Sequence, residues 1–134
     1  MQIVNRLFKL YLGLSLLWGC SAEQQEIKRV RSPDQRVDAV LIQTNAGATT
    51  GFVYEIFLVP TGATPKEGHE QFRADQVVNL ELRWQQPKSL EIVYDQARIF
   101  HYSNFWNSKD VENFRYVVEV SLAPLRPSAL SPTS

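Results

Sequence analysis

The run Val77-Val78-Asn79-Leu80-Glu81-Leu82-Arg83-Trp84-Gln85-Gln86-Pro87-Lys88-Ser89-Leu90-Glu91-Ile92-Val93-Tyr94 decides the fold. Val78, Leu80, Leu82 and Trp84 share one parity, while Asn79, Glu81 and Arg83 share the other. That period of two is the pattern of a half-buried antiparallel strand. Gln85-Gln86-Pro87-Lys88 turns the chain, and Leu90, Ile92 and Tyr94 resume the apolar parity on a returning strand. The run therefore predicts a hairpin, with Leu82 in its core face.

Working outward, the same alternation recurs. Phe52, Tyr54, Ile56 and Leu58 alternate with Val53, Glu55, Phe57 and Val59, so both faces are apolar and this strand is expected at a sheet centre. Val37–Thr44 is β-branched and apolar, a strand returning from the turn Ser32-Pro33-Asp34-Gln35, in which Pro presets φ and Asp bonds nearby backbone. Ile27–Arg31 opens the first strand. Phe72–Gln76 shows no clear period and fits one helical turn. Ala97–Tyr102 reads as extended, and Ser103–Asn113 as a polar loop carrying Phe105 and Trp106. Phe114, Tyr116, Val118, Val120 and Leu122 alternate in a last strand, with Val118 in the core. Six or seven strands joined by short turns predict an all-β domain, a mainly antiparallel β-sandwich or small open barrel.

The amino terminus gives an address. A basic head (Arg6, Lys9) precedes the apolar run Leu10–Trp18, which is far short of the roughly 20 residues that span a bilayer. The only cysteine, Cys20, follows directly. Leu17-Trp18-Gly19-Cys20 resembles the lipobox of bacterial lipoproteins, with Trp18 where that pattern usually has a smaller residue. The resemblance implies a signal peptide over 1–19, a palmitate-bearing lipid on Cys20 and a tether over 20–26. It also implies an exported, membrane-anchored protein; Ser21 after the cysteine resembles the outer-membrane pattern, facing the periplasm. A single β domain is expected over 27–122, and a disordered Pro/Ser-rich tail over 123–134.

Composition narrows the function classes. The chain has 134 residues with 14 basic and 14 acidic side chains. Removal of 1–19 takes Arg6 and Lys9, leaving 12 basic against 14 acidic, a net charge of −2. That balance offers no clustered basic surface for nucleic acid. No nucleophile elbow, zinc-protease, P-loop or dinucleotide motif occurs, and His69 and His101 have no ligand-spaced partner, so neither a cofactor nor a metal is expected.

Two segments look specified. They are Ser32-Pro33-Asp34-Gln35 through the loop Asn45-Ala46-Gly47-Ala48-Thr49-Thr50-Gly51, and Tyr94-Asp95-Gln96-Ala97-Arg98-Ile99-Phe100-His101-Tyr102-Ser103-Asn104-Phe105-Trp106. Together they resemble an uncharacterised family of small bacterial proteins with an SPDG-like turn, a GATT loop and an ARIF…NFW segment. Gln35 stands where that family usually has Gly. The resemblance implies no activity.

Three surfaces follow as candidates. Gly47, Thr49 and Thr50 read as a tight loop, with an anion-holding nest as the functional alternative. Arg98 and Tyr102, with either Phe105 or Trp106 exposed and the other buried, form the candidate partner contact. Asp95, Arg98 and His101 are the alternative, a pocket for a small-ligand carrier or enzyme. The leading expectation is a lipid-anchored binding module meeting a protein or envelope component, as lysozyme-inhibitor and toxin-immunity lipoproteins do. A structural envelope subunit fits the same features.

Overall fold

The computed structural model describes residues 23–45, 47 and 51–125. Nine strands run in order: β1 (Gln24–Arg31), β2 (Val37–Asn45), β3 (Phe52–Pro60), β4 (Phe72–Val78), β5 (Glu81–Gln86), β6 (Ser89–Tyr94), β7 (Gln96–Tyr102), β8 (Phe105–Trp106) and β9 (Val118–Pro124). They form a five-stranded sheet, β1-β2-β3-β4-β7, and a four-stranded sheet, β5-β6-β9-β8. The fold is an all-β sandwich, and β3 sits centrally as its two apolar faces require. All pairings are antiparallel except β6 with β9. Among the described residues no helix is long and apolar enough to cross a membrane.

The core lies between the sheets. Val37, Ala39, Ile56, Leu58, Phe72 and Ala74 meet Leu82, Leu90, Ile92, Val118 and Val120. Val40, Phe57 and Val59 form a smaller cluster on the outer face of the five-stranded sheet. Aromatic donors tie the sheets together. Trp84 Nε1 donates to the Val30 carbonyl at 2.9 Å, and the Tyr102 hydroxyl donates to that of Val120.

Among the described residues nine strands replace the expected six or seven, because one apparent strand is broken and two segments not expected as strands, Phe72–Gln76 and Phe105–Trp106, pair in the sheets. The arm Val77–Trp84 is not one strand. It passes from β4 to β5 through Asn79, whose φ of 56° lies in the left-handed region that asparagine tolerates. The opposite arm bends at Asp95, whose N–H donates to the Val78 carbonyl at 2.9 Å. Asn79 Nδ2 donates to Asp95 Oδ2 at 2.5 Å across this corner. The hairpin thus serves both sheets, its bent arms pairing as β4–β7 on one side and β5–β6 on the other.

Other boundaries move as well. Phe72–Gln76 is strand, not a helical turn, because Phe72 and Ala74 face the core at period two. The last strand starts at Val118 rather than Phe114. Glu112, Asn113 and Phe114 lie in a 3-10 turn with φ of 51°, 49° and 70°, which turns Phe114 out of the strand. Gln24–Glu26 belongs to β1 rather than to a tether, and Ala123 and Pro124 extend β9 into the expected tail. The expected signal peptide, Cys20 and residues 126–134 lie outside the described residues.

A candidate binding cleft

The first turn is built by its own side chains. Ser32 Oγ donates to Asp34 Oδ1 at 2.7 Å and accepts from the N–H groups of Arg36 and Val37. The next loop is tied back to it: Thr61 Oγ1 donates to the Gln35 carbonyl at 2.7 Å, and the Gly62 N–H donates to Asp38 at 3.0 Å. Asp38 is fully buried and also accepts from Arg29 at 2.9 Å and Arg31 at 3.1 Å. Burial pushes its carboxyl up, but these donors outweigh burial and hold it below the usual range. An ionised carboxylate thus ties the loop after β3 to β2.

That anchored loop forms one wall of the larger cleft, about 510 Å³, and the segment Asn107–Phe114 forms the other. Leu58, Val59, Ala63, Trp106 and Phe114 give it apolar lining, with Lys66, His69, Lys109 and Asp110 as charged or titratable groups. Trp106 is buried, yet Phe114 is 51% exposed. Three consecutive left-handed residues hold that ring out. Each such non-glycine residue costs roughly 1–2 kcal/mol, a strain that clusters at working sites. Had the strand begun at Phe114, parity would have placed its ring with Tyr116 and Val118 in the core.

A second groove, about 320 Å³, lies on the outer face of the five-stranded sheet, with Glu55, Glu70 and Arg73 in its lining. Burial, helped by Glu70, raises the Glu55 carboxyl above the usual range.

The residues selected from sequence are dispersed. Ile99 pairs with Ala74 and His101 with Arg73, so Phe100 sits in a β-bulge. The extra residue reverses the parity after it. Tyr102 therefore pairs with Phe72 and its hydroxyl crosses to β9, instead of sharing a face with Arg98 as simple alternation predicts. Arg98 is held bidentately by Asp75, at 2.7 and 2.5 Å, and lies 5.3 Å from the Phe100 ring. Phe105 is 51% exposed and Trp106 is buried, the expected division of that pair. Phe105 pairs with Glu119 and Trp106 with Val118, so they point to opposite faces of the four-stranded sheet. Of the expected contact residues only Trp106 lines the cleft.

Asp95 is engaged at the hairpin corner, Arg98 is engaged by Asp75, and His101 is exposed on β7. None of the three lines either of these two cavities. The Gly47 N–H donates to its neighbour Asn45 Oδ1 at 3.2 Å, which occupies it locally; Thr49 and Thr50 lie outside the described residues. Among the described residues no three His, Cys, Asp or Glu side chains group as a metal site. Phe114, Lys66 and Lys109 were missed because the cleft joins loops some forty residues apart. Only the aromatic density around Trp106 signalled it. No family model, curated protein or solved structure matches the chain.

Proposed function

We propose that this chain is a lipid-anchored envelope protein whose β-sandwich is a binding module, with the cleft beside Trp106 and Phe114 as its binding surface. The address rests on Leu17-Trp18-Gly19-Cys20. Acylation there gives the only thiol of the chain a role and tethers the domain at an outer membrane, facing the periplasm. The observation that carries the binding reading is Phe114, an aromatic ring held half-exposed by a strained backbone at the mouth of a largely apolar cleft. A cleft of that size falls within the range of about 300–1,000 Å³ used for small ligands. It also suits one protruding group of a larger partner. The small-ligand reading moves to this cleft, away from Asp95, Arg98 and His101.

Two measurements test the proposal. Radiolabelled palmitate should enter the wild type and not Cys20→Ser; equal labelling removes the anchor. Partner capture from the protein's own envelope should be lost in Phe114→Ala at an unchanged melting temperature. Capture that survives this substitution removes the cleft.

A further inference from the structure

We infer that the group this cleft accepts is a carboxylate carried on an apolar body, an inference that rests on the cleft being the binding surface. The charges of the lining differ from those of the domain around them. The chain beyond residue 19 has 12 basic and 14 acidic side chains, yet the lining carries Lys66, Lys109 and titratable His69 against Asp110 alone. Lys66 comes from the loop after β3 and Lys109 from the segment after β8, so both walls contribute a cation. Neither lysine has an ion-pair partner among the described residues.

The arrangement fits an anion with an apolar tail and penalises a cation. Clefts lined by one sign of charge with low-dielectric walls concentrate ligands of the opposite sign. Trp106 and Phe114 supply the apolar surface that the body of the ligand would cover. An ammonium in the same place would meet two like charges with only Asp110 in compensation. Selection by charge sign is therefore the distinguishing property, because an apolar cleft alone would take either.

The test uses the full chain in detergent with two water-soluble probes of one shape, 4-phenylbutyrate and 4-phenylbutylamine. Trp106 lines the cleft, so indole fluorescence reports occupancy. The carboxylate is expected to bind at least tenfold more tightly than the amine. Lys66→Glu with Lys109→Glu is expected to reverse that order. The wild-type comparison decides without the double variant, should that variant fold poorly. Equal affinities, or no response to 4-phenylbutyrate, overturn the inference. If Phe114→Ala abolishes envelope capture while the two probes bind alike, the cleft stands and its ligand class falls.

Discussion

The hydroxyl of Tyr116 donates to the carboxylate of Asp34, 82 residues earlier, and pins the first hairpin turn to the entry of the last strand. The same oxygen lies 3.1 Å from the Pro87 carbonyl. The Arg36 guanidinium and Lys88 ammonium lie 5.2 and 4.9 Å from the Tyr116 ring centre. One buried side chain thus joins the turns at Asp34 and Pro87 to β9. Tyr116→Phe keeps the ring and its cation contacts but removes the hydroxyl. A hydrogen bond to a charged group contributes about 1.5–3 kcal/mol, and Asp34 keeps Ser32. The expected loss is therefore about 1.5 kcal/mol in urea denaturation. A loss below about 0.5 kcal/mol would mean that water replaces the phenol on Asp34.

Acid should unfold the domain through its aspartates. At Asp34 burial works upward, but hydrogen bonds from Ser32, Tyr116 and the Arg36 backbone outweigh it, and the carboxyl sits below its ordinary value. Asp38 behaves alike, and the hydrogen bonds from Arg98 lower Asp75. Each folded pKa is depressed below the unfolded value of about 3.9, so the unfolded chain binds more protons between the two. This stability is present above the unfolded pKa and lost as pH falls through the folded values. Melting temperature should hold from neutrality to about pH 5 and fall steeply below about pH 4. Asp38→Asn should flatten part of that slope; an unchanged slope would remove Asp38 from the linkage.

Gln35 occupies a left-handed position, φ 62°, a region that glycine enters without steric cost. Its contribution to the turn comes from its backbone, whose N–H donates to the Ser32 carbonyl and whose carbonyl accepts from Thr61. Gln35→Gly preserves both bonds and relieves roughly 1–2 kcal/mol of left-handed strain. Glycine's greater freedom in the unfolded chain takes back about 0.5–1 kcal/mol. The net expectation is a gain of about 0.5–1 kcal/mol, read as a higher melting temperature. A drop would show that the Gln35 side chain contributes more than the strain costs.

Burial was legible in this sequence wherever a strand is straight. Leu82 and Val118, both on an apolar parity, are core residues, and β3 is central as its two apolar faces require. What escaped were the places where the backbone departs from the period while the sequence does not. Val78, Leu80, Leu82 and Trp84 alternate without interruption, and only Asn79, a residue that tolerates positive φ, hinted at the corner between sheets. The bulge at Phe100 leaves no trace in the pattern, yet it separates Tyr102 from the face of Arg98 and sends its hydroxyl to β9 while the residue stays 37% exposed. Phe114 continues the alternation of Tyr116 and Val118, yet no glycine marks the left-handed turn that expels it. The cleft depends on that turn and on a distant loop, and neither is a local property.

Phe105 and Trp106 are neighbours with opposite fates, which gives a paired test of the strand register. Trp106 pairs with Val118 and packs into the core, while Phe105 pairs with Glu119 and is 51% exposed. Truncating a buried Trp costs about 3–5 kcal/mol, because lost transfer energy is joined by the cavity left behind. Trp106→Ala should therefore lower stability by an amount in that range, tempered by the open side of the cleft. Phe105→Ala, on the solvent face, should stay within about 0.5 kcal/mol of the wild type. Thermal unfolding of both variants reads the difference directly. Equal losses would mean that β8 does not hold this register on β9. The Trp106 wall of the cleft would then be lost, and with it the surface on which the binding proposal rests.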